Sequence, residues 1–276
     1  MGLQNKLAVI TGAGGVLCSA FAKCLSREGV RVMLLDLNYE AAKAVRDEII
    51  NDGGIAEAYE CNVLERESIE AAHNDILKKY GKCDILLNGA GGNSPRATLA
   101  KEYFEKGDEK LDSEKTFFNL MPKDFGFVFD LNLMGTLLPT QVFAVDMLEG
   151  GGTILNVSSM NAFRPLTKIP AYSAAKSAVS NFTQWLSVYF AGTGIRVNAI
   201  APGFFVTKQN QALLYNADGT PTPRTDKILR ATPMGRFGKP EELLGTLLWL
   251  CDSSASGFVT GVVVPVDGGF SAYSGV

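Results

Sequence analysis

The stretch Leu7-Ala8-Val9-Ile10-Thr11-Gly12-Ala13-Gly14-Gly15-Val16-Leu17-Cys18 decides the fold. Its first five residues form an apolar run of strand length, and a helical pattern begins directly after the glycines. Glycines at a strand-to-helix turn let the backbone approach a pyrophosphate group, and the helix N-terminus favours its negative charge. A plain tight turn would have a similar composition, but the position at the first strand-to-helix turn favours a phosphate-binding site.

The alternation of strand-length and helix-length patterns continues from this turn to the end of the chain. We predict strands at Leu7–Thr11, Val30–Asp36, Ile55–Cys61, Ile85–Asn88, Gly152–Ser158, Arg196–Ala201 and Gly261–Val266. We predict helices at Ser19–Arg27, Glu40–Asn51, Glu65–Tyr80, Phe125–Leu148, Tyr172–Phe190 and Pro240–Cys251. Continuous apolar strands separated by helices indicate a parallel sheet that is covered on both faces. The predicted fold is α/β, a Rossmann-like, doubly wound, seven-stranded parallel sheet with helices on both faces and ligands at the carboxyl ends of the strands.

The length of 276 residues suits one α/β domain, so we predict a single dinucleotide-binding and catalytic domain over residues 1–276. Two segments, at about residues 93–124 and 207–239, interrupt the regular alternation. Connections of this length in a compact domain are usually lids, binding loops or interface arms. Because both follow the carboxyl end of a strand, we expect both to overhang the ligand crevice as substrate-site insertions.

Composition excludes several function classes. The net charge is −3 and basic residues form no dense run, which argues against nucleic acid and anionic membranes as partners. There is no uninterrupted apolar run of about 18 residues and no signal-peptide pattern, so we expect a cytoplasmic protein. The five cysteines form no C-x-x-C pair, and we expect them to be reduced core residues. The single histidine, His73, is expected on the surface of a charged helix, and we predict no metal site.

Asp36 closes the second predicted strand and bears on cofactor choice. A carboxylate at this position can accept hydrogen bonds from the adenosine ribose hydroxyls and repels a 2′-phosphate. No arginine or lysine immediately follows Asp36 to neutralise such a phosphate. The alternative, a solvated residue at a strand end, does not account for the glycine turn. The sequence therefore favours NAD(H) over NADP(H).

Tyr172 and Lys176 stand four residues apart at the start of a predicted helix and therefore project from one face. A phenol with a pKa of about 10 is a poor acid or base at neutral pH, but a nearby ammonium lowers that pKa. Ser159 closes the fifth predicted strand, where its hydroxyl can reach the same crevice. A tyrosine–lysine pair alone is usually an exposed pair on a helix; together with Ser159, the glycine turn and Asp36 it indicates general acid/base chemistry.

These motifs resemble the short-chain dehydrogenase/reductase family along nearly the whole chain. The matching residues are Thr11-Gly12-x-Gly14, Asp36, Asn88-Gly89-Ala90-Gly91, Asn132, Ser159, Tyr172, Lys176, Pro202-Gly203-x-x-x-Thr207, Arg236-x-Gly238-x-Pro240-Glu241 and Val266-Asp267-Gly268-Gly269. The resemblance implies an NAD(P)-dependent oxidoreductase that acts on CH–OH groups. It implies that Tyr172 is the general acid/base and that Ser159 orients the substrate oxygen. It further implies that Lys176 binds the nicotinamide ribose and lowers the tyrosine pKa, while Asn132 holds a water in a proton relay.

The resemblance also implies a set of cofactor-binding residues. They are Thr11, Gly12, Gly14, Gly15, Val16, Leu17, Asp36, Asn62, Val63, Asn88, Ala90, Gly91, Tyr172, Lys176, Pro202, Gly203, Phe205 and Thr207. The chain departs from the family pattern at four positions. Val16 and Cys18 replace the last two glycines of the fingerprint, and Asn62 replaces an aspartate that meets the adenine. Gly89 replaces an asparagine, which we expect to be a neutral change.

Polar residues near the ends of strands suggest the class of substrate. The candidates are Asn93, Arg96, Asn161, Arg164 and Lys208. Donors of this kind suit a polyhydroxylated or acidic substrate, with Arg96 and Lys208 as the expected carboxylate partners, although each could be an ordinary surface residue. The first insertion, the Gly92-Asn93-Ser94-Pro95 turn and the tail at residues 269–276 resemble the subgroup described as D-mannonate oxidoreductases or fructuronate reductases. That resemblance implies interconversion of D-fructuronate and D-mannonate.

Other functions stay open at this point. A gluconate 5-dehydrogenase-like enzyme or another sugar or polyol dehydrogenase would share every motif. A 3-oxoacyl-thioester reductase would need a basic docking patch, which this acidic chain does not clearly display. A non-catalytic NAD-binding sensor would be expected to lose the tyrosine or the lysine and keep the glycines, the reverse of what is observed. The family resemblance also implies a homotetramer.

Overall fold

Seven parallel strands form one sheet in the order β3-β2-β1-β4-β5-β6-β7. A computed structural model describes residues 2–206 and 214–275. The strands are β1 (Leu7–Thr11), β2 (Arg31–Asp36), β3 (Ala56–Glu60), β4 (Ile85–Asn88), β5 (Gly152–Val157), β6 (Ile195–Pro202) and β7 (Val263–Val266). The order reverses between β1 and β4, which opens the ligand crevice of a doubly wound sheet at their carboxyl ends.

The helices lie close to their predicted positions. They are α1 (Val16–Arg27), α2 (Tyr39–Asn51), α3 (Arg66–Tyr80), α4 (Pro122–Met147), α5 (Pro170–Tyr189), α6 (Pro223–Ala231), α7 (Leu244–Cys251) and α8 (Ser253–Ser256). Short 3-10 helices lie at Pro95–Ala97, Asp108–Lys110, Met160–Ala162, Ala191–Thr193 and Pro240–Leu243. Proline at the first helical position starts α4, α5 and α6, where its missing N–H costs nothing. The helix predicted at Pro240–Cys251 is a 3-10 turn followed by α7.

Two apolar clusters cover the two faces of the sheet. In β1, Ala8 and Ile10 face one cluster, and Leu7 and Val9 face the other. The helices α1, α2 and α7 pack on the first face, and α3, α4 and α5 pack on the second. Because successive strand residues point to opposite faces, a strand buried on both sides must be apolar throughout. The predicted fold class is confirmed.

Helix α4 has an unusually apolar composition. Among the described residues it alone has the length and hydropathy of a membrane span, with a mean hydropathy of 1.3 over its best 18-residue window. Half of that window is buried inside the fold. Val142, Phe143 and Met147 pack against the sheet, which accounts for the apolar composition of this helix.

The first insertion is held together by its own polar side chains. Lys101 contacts the carboxylates of Glu105 and Asp108 at 2.6 and 2.8 Å. Glu102 extends from the same segment to Lys227 of α6, with 2.8 Å between the charged atoms. The insertion after β4 and the helix of the second long segment are therefore in direct contact at the carboxyl edge of the sheet.

His73 is not the surface residue that the sequence suggested; that expectation was wrong. Its Nε2 lies 3.0 Å from the carboxylate of Asp146 on α4, and the two side chains are only 14% and 6% exposed. The ring also packs edge-on against Phe143. The charged pattern of α3 is typical of an exposed helix, but α4 covers the side of α3 that carries His73. All five cysteines are free and buried, and no group of metal-ligating side chains occurs in residues 2–206 and 214–275.

Candidate active site

The glycine turn after β1 is shaped by close backbone contacts. Gly12 has a φ of +64°, and a Cβ there would lie 2.8 Å from the backbone of Ala90. A Cβ on Gly14 would lie 2.6 Å from the side chain of Ala41. Gly15 immediately precedes α1 and has no side chain that could cap the helix. The first N–H groups of α1 therefore lack a side-chain acceptor from this position. A turn of this form can hold a pyrophosphate group.

Asp36 ties the end of β2 to the glycine turn. Its two carboxylate oxygens accept the N–H groups of Gly14 at 2.9 Å and Asn38 at 2.8 Å. The groove beside it is lined by Asp36, Leu37, Asn38, Tyr39, Glu40 and Glu60. Three of these six residues are acidic and none is basic, so the groove carries negative charge.

A cleft of about 490 Å³ runs along the carboxyl ends of the strands. It brings together twelve of the predicted cofactor residues: Gly12, Gly14, Gly15, Val16, Leu17, Asp36, Asn62, Val63, Ala90, Gly91, Tyr172 and Lys176. Cys18 and Gly89 also line this cleft. The glycine turn and the tyrosine–lysine pair therefore face one continuous space.

Thr11 and Asn88 lie beneath this cleft and do not line it. The Thr11 hydroxyl accepts the N–H groups of Gly89 at 3.1 Å and Ala90 at 3.2 Å. The amide of Asn88 donates to side chains on α4 and β5 and is fully buried. Both residues hold the turn after β4 in place from below.

The side chain of Asn62 forms hydrogen bonds within the turn that precedes α3. Its amide oxygen accepts the N–H of Leu64 at 3.1 Å, and its amide nitrogen donates to Glu65 at 2.9 Å. These bonds fix the turn before α3 while the side chain still borders the cleft. Contact with an adenine edge stays a prediction.

The remaining predicted cofactor residues lie further along the sheet. Pro202 ends β6, and Gly203 packs against the backbone of Asp267. Phe205 lines a separate cavity of about 350 Å³ together with Asp267 and Gly268. Thr207, predicted to contact the cofactor, and Lys208, predicted to contact the substrate, lie outside the described residues.

The departures from the family fingerprint at Cys18 and Gly89 are related in space. A Cβ on Gly89 would lie 2.1 Å from the Cys18 sulfur and 2.8 Å from the Thr11 carbonyl oxygen. The cysteine sulfur therefore occupies the space that a side chain on Gly89 would need. With Cys18 present, a larger residue at position 89 would collide with its sulfur, so the two departures fit each other; that Gly89 is a neutral change stays a prediction.

Tyr172 and Lys176 lie in the first turns of α5, as predicted. The Lys176 ammonium lies 5.7 Å from the centre of the Tyr172 ring and donates a 2.8 Å hydrogen bond to the Val157 carbonyl at the end of β5. Burial lowers the pKa of Lys176 to about 8. Burial also raises the pKa of Tyr172, and a hydrogen bond with Ser159 lowers it. Lys176 does not contribute to the shift of the Tyr172 pKa, so the expected lowering by its ammonium is not found.

Asn132 on α4 braces the turn after β4. Its amide nitrogen donates to the carbonyl of Gly92 at 2.8 Å, and its amide oxygen accepts the Gly92 N–H at 3.2 Å. A Cβ on Gly91 would lie 2.6 Å from that oxygen and 3.1 Å from the Lys176 ammonium. Asn132, the turn and Lys176 are thus packed together, and only glycine fits between them.

Among the predicted substrate residues, Asn161 has the most suggestive surroundings. Its backbone N–H donates to the Ser159 hydroxyl at 3.2 Å. The side chain is 3% exposed, and its amide oxygen has no hydrogen-bond partner among the described residues. A buried amide oxygen without a partner is costly unless a ligand or water completes it.

The other predicted substrate residues have partners within the chain. Arg96 pairs with Asp124 at 3.5 Å and lies over the Phe127 ring, and Asn93 donates to the Thr98 hydroxyl. Arg164 donates to the carbonyl of Ser271 in the C-terminal tail at 3.1 Å. Their contact with substrate stays a prediction.

Sequence reasoning missed Lys168, which lies two residues before α5. Its φ is +69°, in the left-handed region, and its carbonyl accepts the N–H of Leu99 at 2.8 Å. Nearby, Ala97 of the first insertion packs with Ala171 and the ring of Tyr172. The insertion therefore forms a wall of the site, a contact for which the sequence carries no signal.

Comparison with known proteins identifies the family. A family model described as enoyl-(acyl carrier protein) reductase matches residues 12–271. An uncharacterized oxidoreductase of Haemophilus influenzae is 60% identical over 275 residues, which cover 99% of this chain and 96% of the relative. This chain is a short-chain dehydrogenase/reductase. It is thus an oxidoreductase that acts on CH–OH groups, and the predicted family and enzyme class are confirmed.

Two further relatives of this short-chain dehydrogenase/reductase bear on its cofactor. The uncharacterized oxidoreductase UxuB of Bacillus subtilis is 54% identical over 275 residues, covering 99% of this chain and 98% of the relative. The crystal structure of a candidate D-mannonate oxidoreductase from Haemophilus influenza holds bound NAD. It superposes with a TM-score of 0.95 at 59% identity and covers 100% of this chain and 98% of its own. An NAD-type cofactor is therefore supported for this enzyme.

Proposed function

We propose that this enzyme interconverts D-fructuronate and D-mannonate with NAD(H). The observation that carries the proposal is one cleft in which Tyr172 and Lys176 face the glycine turn, with the Ser159 side chain in a hydrogen bond with the tyrosine. This arrangement supports reversible proton transfer to an oxygen that lies next to a bound dinucleotide. The relative described as a candidate D-mannonate oxidoreductase supports the choice of substrate.

The residues of the cleft fit a dinucleotide. The uncapped N-terminus of α1 suits its pyrophosphate, and Gly91 and Lys176 line the same cleft. Asp36 and its acidic neighbours Glu40 and Glu60 support NAD(H) over NADP(H). When bound, the nicotinamide accepts or donates the hydride.

The chain supplies the proton and the orientation. In the direction of reduction, the Tyr172 hydroxyl gives its proton to the oxygen of the substrate carbonyl, and Ser159 donates a hydrogen bond to the same oxygen. The Lys176 ammonium is held by Val157 and is placed to bind the nicotinamide ribose. The role of holding a relay water stays a proposal for Asn132, whose side-chain amide is engaged with the backbone of Gly92.

Recognition of the substrate falls to the wall formed by the first insertion and by the segment after β5. Asn161, with its free buried amide oxygen, is the candidate partner for a sugar hydroxyl. Asn93, Arg96, Arg164 and Lys208 complete the proposed polar set. A fatty acyl chain or a steroid would leave the buried amide oxygen of Asn161 unpaired, which disfavours both.

We also propose a single catalytic domain that assembles as a homotetramer. On α5, Trp185, Val188 and Tyr189 are all more than half exposed, and the rings of Trp185 and Tyr189 stack at 5.0 Å. Apolar side chains of this size on one helix face support association with a second copy.

The test is an assay with purified protein, NADH and D-fructuronate, in which absorbance loss reports NADH oxidation. The wild type should oxidise NADH, and Tyr172→Phe should lower the rate by about 100-fold or more while NADH binding measured by fluorescence is retained. Tyr80→Phe, which changes a phenol that bonds Glu57 away from the cleft, is the matched control. Full activity in Tyr172→Phe would refute the assigned acid/base. Activity only with uncharged ketones would refute the assigned substrate.

A further inference from the structure

Lys168 lies where the first insertion meets the helix that carries Tyr172. Its carbonyl bonds the N–H of Leu99 at 2.8 Å. Ala97, two residues before Leu99, packs in one cluster with Ala171 and the Tyr172 ring. The backbone of Lys168 is therefore part of the wall that the first insertion forms beside Tyr172.

The backbone of Lys168 is strained. Its φ of +69° lies in the left-handed region, and Asn5 is the other non-glycine residue with positive φ in the described part of the chain. Asparagine tolerates this conformation because its short side chain bonds locally, but lysine has no such compensation. Glycine would adopt the same turn without strain. Strain of this kind concentrates at functional sites, where the side chain is needed.

The ammonium of Lys168 has no close ion-pair partner, and Glu102 interacts with it only at longer range. The residue is only partly exposed, and no carboxylate in residues 2–206 and 214–275 lies within 4.0 Å of its ammonium. Glu102 is the nearby acid, and its ion pair is with Lys227 at 2.8 Å. The pKa of Glu102 is lowered first by that hydrogen bond and then by the charges of Lys168 and Arg224. The single carboxylate of Glu102 thus interacts with three cationic side chains, those of Lys227, Lys168 and Arg224. The local charge is therefore positive although the net charge of the chain is −3.

We propose that Lys168 is a specificity-determining residue that binds the carboxylate of an acidic substrate. The inference rests on the proposed action on a sugar acid and deepens it. An incoming carboxylate would pair the free ammonium and balance the local excess of positive charge. Of the two residues predicted to pair with a carboxylate, Arg96 is engaged with Asp124, and Lys208 lies outside the described residues. Arg164, another predicted substrate residue, donates to the carbonyl of Ser271.

The experiment compares D-fructuronate with its methyl ester, which has the same ketone without the negative charge. Lys168→Met keeps the length of the side chain and removes its charge. It should raise the KM for the acid by about 10- to 100-fold and leave kcat/KM for the ester unchanged within about twofold. Lys168→Arg should retain most of the selectivity for the acid. Lys168→Gly should lose the selectivity for the acid as Lys168→Met does. Because glycine suits the left-handed backbone at this position, agreement between the two variants would show that the loss is not caused by misfolding of one of them.

Lys78→Met is the matched control, because it removes an exposed lysine in the last turn of α3. This variant should behave like the wild type. Equal losses for acid and ester in Lys168→Met, or no loss for either, would overturn the assignment of Lys168 while the proposed function stands. A wild type that reduces a different keto acid would overturn the proposed substrate, and Lys168 would then be judged on that acid and its ester. A wild type that prefers the ester over the acid would overturn both.

Discussion

Replacing Lys176 with methionine should change how the stability of this enzyme depends on pH. Lys176 is 4% exposed, and burial lowers its pKa from 10.5 to about 8. Between these two pH values the unfolded chain keeps a proton that the folded chain has released. The stability of the wild type therefore rises with pH across this window, and below pH 8 the full cost of burying the ammonium is present.

The magnitude follows from the two pKa values. At about 1.36 kcal/mol for each pKa unit, moving from 10.5 to about 8 costs the folded state about 3 kcal/mol at low pH. Between pH 7 and pH 10, about 2–3 kcal/mol of this cost is relieved. Methionine also loses the hydrogen bond to the Val157 carbonyl, a pH-independent loss of about 1 kcal/mol. The difference in unfolding free energy between wild type and Lys176→Met should therefore shift by about 2–3 kcal/mol in favour of the wild type.

The assay is urea unfolding of both proteins without cofactor from pH 7 to pH 10, followed by tryptophan fluorescence. Cysteines and tyrosines of the unfolded chain also titrate in this range, but those that do not interact with Lys176 contribute equally to both proteins and cancel in the difference. The exposed-site variant Lys78→Met should show a flat difference from the wild type. A flat difference for Lys176→Met as well would refute the argument, since it would mean that the Lys176 ammonium keeps its hydration in the fold.

Two further perturbations test the cofactor cleft. Asp36→Asn keeps an acceptor for the Gly14 N–H and removes the negative charge. The value of kcat/KM for NADPH relative to that for NADH should therefore rise about tenfold or more. An unchanged ratio would mean that Asp36 does not set cofactor choice. Gly89→Ala places a methyl group 2.1 Å from the Cys18 sulfur and should lower the unfolding free energy by about 1–3 kcal/mol in thermal denaturation. Cys18→Gly in the same chain should restore part of that loss, although the Thr11 carbonyl at 2.8 Å limits the recovery; full additivity of the two changes would contradict the proposed collision.

The sequence by itself determined the layers of the fold and the location of the chemistry. Apolar runs of strand length alternate with helical patterns, and this short-range periodicity predicted both ends of all seven strands to within two residues. Local spacing also placed Tyr172 and Lys176 on one face of α5, and the glycine turn at the end of β1. Such features need only neighbouring residues, because helix and strand geometry relates side chains a few positions apart.

Only the tertiary structure decided which side chains meet across the fold. His73 pairs with Asp146 and Arg164 with Ser271, partners that are 73 and 107 residues apart in the chain. The unpaired charge and left-handed backbone of Lys168 likewise depend on the insertion that packs beside it. The physical reason is that such partners are brought together by the packing of helices and long connections on the sheet, and no local pattern in the sequence encodes that packing.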